Sequence, residues 1–282
     1  MKIRYLDFAR YHGKGNTGST QLRVHNLIKY WDEADLYKYG EQVDVMIFQK
    51  VYMQADFKLH AHLKCIKILD ICDPDWLDRQ NIVETVNNVD GVTVPTRDMQ
   101  EFIQQLTDKP VLVVPDRHDI DVVLPVKKHT GNAKRFVWFG YKQNVDVLKS
   151  ALRYLERMEY SLTIISNDDP QADRWCDKPG NLDYKFIKYD EDTFYTDMQE
   201  FDLCILPQGV RPVDRFKSNN KTTKAWLCGL PVVQTAEDIE ALQDQKARQA
   251  EATRCYNKAI KEYDVKLSVK EMQKFIQGLK NG

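Results

Sequence analysis

The sequence predicts an α/β protein built from two parallel-sheet domains, one after the other. Three observations predict it. Short apolar runs alternate with helix-period segments from end to end, the runs are nearly continuous in apolar residues, and the alternation halts once near the middle before restarting. A chain of 282 residues is long enough for two ordinary domains.

In the first half the strand candidates are 3–8, 43–48, 66–71, 91–94 and 111–114. Between them Val24, Leu27, Ile28 and Trp31, and later Met99, Phe102, Ile103 and Leu106, keep the spacing of one helix face. At 115–133 two prolines, several charges and the loss of any period mark a pause. In the second half strands are expected at 135–139, 162–166, 184–188, 203–206 and 232–234, and Val145, Leu148, Leu152 and Leu155 line its first helix. This gives a Rossmann-like domain over 1–120, a linker over 121–133 and a second Rossmann-like domain over 134–260. A C-terminal helix over 261–282 carries Met272, Phe275, Ile276 and Leu279. That helix either packs on its own domain or crosses back to brace the first.

The formal net charge is -1, which argues against strong non-specific attraction to nucleic acid or membrane. The six cysteines form no CxxC pair and several sit in apolar runs, so they read as small core residues of a reducing compartment. No apolar leader opens the chain and no apolar stretch approaches 18 residues, so a cytoplasmic location is expected.

Four motifs lie where strands end. Gly13, Gly15 and Gly18 spell GxGxxG, which reads either as a dinucleotide fingerprint or as a loop approaching another anionic or sugar group. Against the first, the loop starts late after its strand, and the second strand ends on Gln49 and Lys50 where a ribose-binding acid is expected. In LDICDPDW, Asp70, Asp73 and Asp75 lie at the end of a strand, where acids face a cleft; the DPD acids either hold a divalent metal as a DxD pair or, as Asp73 and Asp75, cap the next helix. Two Rossmann-like halves suit the chain better than the DxD architecture, so no metal is expected. The third motif is FDLCILPQGVRPVDRFKSNNKTTKAWLCGLPVV. After its buried strand a helix begins with Lys217, Ser218, Asn219, Asn220, Lys221 and Thr222. Free backbone N–H groups, a positive dipole end, a hydroxyl and two ammonium groups suit a diphosphate. Capping by Ser218 or Asn219, with the lysines in water, is the competing reading. Gly140 and Tyr141, after the first strand of the second half, form either a close phosphate approach or a plain tight turn.

Taken in order, IKILDICDPDW, GVTVPTRDMQEFI with VLVVPDRHD, FVWFG and SNNKTTKAWLCGLPVV resemble a family-4-type GT-B glycosyltransferase, a retaining group. The likeness spans most of the chain and implies two Rossmann-like domains facing each other across a cleft. It departs at Phe216 and Lys224, where the family usually carries glutamates, and at the missing histidine–aspartate pair of the acceptor domain, for which Asp73 is the nearest substitute.

The resemblance implies a nucleotide-diphosphate sugar as co-substrate, UDP-sugar first, with no prosthetic group. Its diphosphate would lie on the second domain against Gly140, Lys217, Ser218 and Lys221, with Asn219, Asn220, Thr222, Tyr141 and Gly18 nearby. Arg23 and Lys50 would assist the same charge, Asp73 or Asp75 would orient the acceptor hydroxyl, and Asn167 and Tyr189 would meet the nucleobase. The acceptor is weakly encoded. Residues 1–115 hold 14 Lys and Arg against 16 Asp and Glu, yet Arg10, His12 and Lys14 sit in the glycine loop, and His60, His62, Lys64 and Lys67 cluster on one segment. With Lys50, such a rim suits a phosphate backbone. The small format resembles phage enzymes that glycosylate hydroxymethylated DNA bases, for which the target base must flip out. A cell-surface glycan or small molecule is the rival acceptor. A non-catalytic two-Rossmann module binding nucleotide or nucleic acid, and an NAD-dependent oxidoreductase, are the rival classes.

Overall fold

The fold is seen in a computed structural model, which describes residues 1–8, 17–51, 60, 62–74, 77, 82–170, 180–209 and 211–281. The chain forms two compact units. The first comprises Met1–Asp119, Arg211–Ser218 and Tyr263–Gly282; the second comprises Ile120–Val210 and Asn219–Glu262.

The sheet of unit 1 contains β1 (Ile3–Asp7), β2 (Ala34–Leu36), β3 (Val45–Gln49), β4 (Ile66–Asp70), β5 (Gly91–Val94) and β6 (Val111–Val113). All pairs are parallel, in the order β2-β1-β3-β4-β5-β6. The apolar runs at 3–8, 43–48, 66–71, 91–94 and 111–114 all yield strands. Sequence reading missed β2, a three-residue edge strand with Asp35 at its centre and no apolar run to announce it.

Both faces are covered, as continuous apolar strands require. Ile3, Tyr5, Val45, Ile47 and Ile68 point to one cluster, whereas Met46, Phe48 and Leu69 point to the other, which is the period-2 alternation of strands. On the first face lie Val24, Leu27 and Trp31 and the helix α10 (Val265–Asn281), through Val265, Val269, Met272 and Ile276. Arg117 fastens α10 with a two-pronged bond to Glu271 (2.6 and 2.8 Å) and a third bond to Ser268 (3.0 Å). The other face is covered by α3 (Val83–Asn87), by α4 (Arg97–Gln104), and by Phe216 from the turn Pro212–Phe216. The helix predicted from Val24 to Trp31 is instead α1 (Gly18–Thr20), a π turn (Gln21–His25) and α2 (Asn26–Lys29) in succession.

Unit 2 has β7 (Arg135–Phe139), β8 (Ser161–Ser166), β9 (Asp183–Lys188), β10 (Leu203–Ile205) and β11 (Val232–Val233), all parallel, in the order β11-β10-β7-β8-β9. Its helices are α5 (Lys149–Arg157), α6 (Phe194–Met198), α7 (Asn220–Leu227), α8 (Ala236–Ala241) and α9 (Gln245–Glu262). The Pro-containing stretch after residue 120 is tied to this unit. Tyr256 donates to Leu124 O (3.0 Å), Gln249 Nε2 to Lys127 O (3.1 Å), and the buried His129 contacts Gly229 O (2.9 Å).

The five described cysteines are free thiols, four of them buried, in keeping with a packing role. Among the described residues no helix is long and apolar enough to cross a membrane.

Candidate functional site

In each sheet the strand order reverses once, and ligands of open α/β sheets bind outside the carboxyl ends of the two strands flanking that reversal. In unit 2 the chain lays down β7, β8 and β9 outward, then returns to the other side of β7 for β10 and β11. The reversal therefore lies between β7 and β10, and Gly140 and α7 follow these two strands.

Here the structure joins two residues that are distant in sequence. Gly140 has φ +149, and its N–H donates to Ile165 O at 3.1 Å. A Cβ on Gly140 would run into Lys221 Nζ and would come within 3.1 Å of Trp138 Cη2. The Lys221 ammonium lies 4.5 Å from the Trp138 ring centroid, a cation–π contact that holds it over the end of β7. At the start of α7, Asn219 is the N-cap but makes no capping side-chain hydrogen bond. A helix tip left uncapped by its own side chain, beside an ammonium and a glycine, suits an anion.

One turn along α7, Lys224 reaches into an aromatic group. Its Nζ donates to the Tyr189 hydroxyl at 3.2 Å and stands 4.1 Å from the Phe194 ring centroid. Burial pushes the Lys224 ammonium below its ordinary value, against the upward pull of Cys228 and Glu191. Burial, then Glu191, pushes Tyr189 up to about 12, so it stays a neutral hydroxyl. Sequence reading gave Lys224 no role, although its i, i+3 spacing from Lys221 on one helix places both on a shared face. Asn167, expected at a nucleobase, braces the loop after β7: its Oδ1 accepts from Lys142 N at 3.1 Å and its Nδ2 donates to Asp168 at 3.0 Å. Tyr141 is half exposed.

Lys217 and Ser218, predicted as part of the same helix start, cluster instead with unit 1. Lys217 Nζ pairs with Asp214 at 3.0 Å, and Ser218 Oγ donates to Asp116 at 2.5 Å. Burial raises the Asp214 carboxyl, but bonds from Arg211 and Lys217 prevail and hold it down to about 2.

Arg23 stands apart from its expected role at the donor phosphates. It is 5% exposed, and its guanidinium bonds two-pronged to Asp70 (2.5–3.0 Å), to Asp116 (2.9 Å) and to Val114 O (2.8 Å). Burial alone would lower Arg23, yet Asp70 and then Asp116 hold it well above its ordinary value, always charged. Thr93 Oγ1 completes the network by donating to Asp70 at 2.6 Å. Four of the five guanidinium N–H groups are spent on these partners, which makes Arg23 a structural hub.

In unit 1 the strand order reverses between β1 and β3. Phe8, Gln49 and Lys50 lie at those strand ends, and Asp73 follows β4. Lys50 Nζ meets Asp73 Oδ2 at 2.7 Å and stands 5.0 Å from the Phe8 ring. Buried Gln49 accepts from Phe8 N (3.0 Å) and from Thr20 Oγ1 (3.4 Å). The structure thus unites Lys50 with Asp73. Gly18 opens α1 with open space where a Cβ would be. Asp75, Arg10, His12 and Lys14 lie outside the described residues.

These two parallel sheets with their helices are the fold of the GT-B glycosyltransferases. Among solved structures the chain is similar to Alr3699/HepE of Anabaena in complex with UDP, with TM-score 0.69 and 13% identity over 99% of this chain and 100% of that one. It is also similar to TarM of S. aureus (TM-score 0.62, 12% identity, 89% of this chain), of which it spans only 56%. A third likeness is to an alpha-glucosyltransferase in complex with UDP and a 13-mer DNA containing a HMU base, with TM-score 0.59 and 12% identity over 83% of this chain and 80% of that one. At such identities the likeness is one of fold. No family model matches the sequence, and no curated protein matches it.

Proposed function

We propose that this chain is a glycosyltransferase that moves a sugar from a UDP-sugar to a hydroxyl group. The observation that carries the reading is the meeting of Gly140 and Lys221 at the strand-order reversal of unit 2, beside the start of α7. The glycine leaves room for the Lys221 ammonium close to the backbone, and that ammonium and the N–H groups of Asn220, Lys221 and Thr222 receive the charge of a diphosphate. Lys217 supplies a further cation, Tyr141 and Tyr189 offer faces to the nucleobase, and no metal is needed. UDP bound to HepE and to the alpha-glucosyltransferase supports this choice of nucleotide.

In the reaction the bond between the anomeric carbon and the β-phosphate oxygen breaks, and its electron pair leaves with the diphosphate. The acceptor oxygen bonds to the same carbon on the same face, giving retention, and its proton passes to the departing phosphate oxygen. Lys221 and the helix tip stabilise the charge that grows on the leaving group. Asp73 orients the acceptor hydroxyl by accepting its hydrogen bond.

The acceptor proposed is a hydroxymethylated pyrimidine in DNA, flipped out of its stack; the likeness to the alpha-glucosyltransferase bound to modified DNA supports it. The test is a panel of nucleotide sugars incubated with hydroxymethylated DNA, plain DNA and oligosaccharides, with product masses read out. A sugar-sized mass gain only on hydroxymethylated DNA is expected. A gain only on oligosaccharides overturns the DNA acceptor, and failure both to bind UDP and to consume any UDP-sugar overturns the enzyme.

A further inference from the structure

Two described non-glycine residues have positive φ, and they stand in unlike places. Glu159 (φ +55) sits in the turn that ends α5, an ordinary station for a left-handed residue. Lys50 (φ +56) sits at the end of β3, beside the strand-order reversal of unit 1. A lysine in this region is disfavoured relative to glycine, because its Cβ crowds the following carbonyl oxygen. Such strain persists only where the surroundings enforce it, and it gathers at functional sites.

What the strained backbone achieves is visible in the contacts. Lys50 N donates to Asp70 O at 3.0 Å, extending the β3–β4 pairing one residue further. Its ammonium turns to Asp73 Oδ2 (2.7 Å) while its stem is packed so that the side chain is only 11% exposed; Asp73 itself is 45% exposed. The Cys72 thiol donates to the same oxygen at 3.8 Å, and Cys72 in turn receives Gln49 Nε2 at 3.6 Å. A mostly buried cation thus fixes one oxygen of a half-exposed carboxylate, and among the described residues the side-chain contacts to Asp73 fall on Oδ2.

We propose that Lys50 is a positioning residue for the acceptor: its left-handed backbone aims the ammonium at Asp73 Oδ2, which leaves Oδ1 to accept the hydrogen bond of an uncharged hydroxyl. Lys50 therefore acts through Asp73 rather than touching the acceptor. Because the ammonium already offsets the carboxylate, the subsite suits a neutral group such as a sugar hydroxyl or a hydroxymethyl, and not a phosphate. The inference rests on the glycosyltransferase reading given above.

Two substitutions separate strain from charge. Lys50→Ala removes the ammonium and keeps an L side chain at φ +56; Lys50→Gly removes both ammonium and strain. Both should lower kcat for transfer by roughly 10²-fold, with the KM for UDP-sugar unchanged. Lys50→Gly should melt about 2–4 °C above Lys50→Ala. Lys50→Arg should recover part of kcat, since it can still reach Asp73. Wild-type transfer by Lys50→Ala overturns the proposal while leaving the glycosyltransferase reading intact, as does a KM effect on UDP-sugar alone. Equal melting of the alanine and glycine variants overturns the strain argument. A wild-type chain that consumes no UDP-sugar defeats the parent reading, and the proposal falls with it.

Discussion

The ammonium of Lys221 fills the space that a side chain on Gly140 would need. The two residues are 81 positions apart in the sequence, yet each sets what the other can do. Gly140→Ala should drive the flexible lysine tip off the Trp138 ring and strain a backbone at φ +149. The expected result is a fall in kcat/KM for the UDP-sugar on the order of 10²-fold, with the protein still folded by circular dichroism. Steady-state kinetics with varied donor checks it; unchanged kcat/KM refutes the pairing.

The two lysines before and within α7 should differ. Lys221→Ala removes the cation at the strand-order reversal and should lower kcat by roughly 10²- to 10³-fold. Lys217 is 42% exposed and already paired with Asp214, so Lys217→Ala should lower it by an order of magnitude less. Single-turnover rates of the two variants, measured side by side, decide the ranking. Equal losses would return Lys217 to the centre of the site.

Arg23 should matter to folding before it matters to chemistry. Arg23→Met leaves Asp70 and Asp116 buried without their shared cation and should destabilise unit 1 by about 3–5 kcal/mol. Urea unfolding measures this. A variant as stable as the wild type but impaired in UDP binding would show that the arginine serves the ligand after all.

His129 gives the chain a pH dependence whose sign is fixed by its contacts. Its Nδ1 accepts from Arg248 Nε at 3.2 Å, and its Nε2 contacts Gly229 O at 2.9 Å, so the neutral ring with hydrogen on Nε2 satisfies both. Burial, then nearby Lys127 and Arg248, outweighs the bond to Gly229 and pushes the imidazole down to about 4. The unfolded chain takes up this proton near pH 6.5 and the folded chain only near 4. Stability from this group is therefore complete above pH 6.5 and is lost as pH falls towards 4, by roughly 3 kcal/mol. Thermal melts of wild type and His129→Gln from pH 7.5 to 4.5 check it: the glutamine variant should show the shallower decline.

The sheets were legible because their strands are buried on both faces and carry runs such as VMIFQ and SLTIIS, which no other pattern explains. Strand β2 escaped because ADL has no run to read. Gly140 and the start of α7 were legible for a local reason: a glycine after one strand, and Asn and Lys after another, mark positions where ligands gather. Their contact could not be read, nor could the Arg23 network, whose partners lie 47 and 93 residues away. Sequence reasoning took Arg23 for a ligand group because a free arginine and a buried, paired one look alike in one dimension. The strain at Lys50 was hidden for the opposite reason: lysine is a residue from which no left-handed backbone is expected.

The route of the chain between its units bears on how the molecule is made. Unit 1 takes one layer, α10, from residues that follow every residue of unit 2, which closes at Glu262. Unit 1 therefore starts before unit 2 in the sequence and is completed after it. Ile3, Tyr5, Val24, Leu27 and Trp31 lack their cover until α10 joins them, so the first strand and helices of unit 1 wait on a helix that follows all of unit 2.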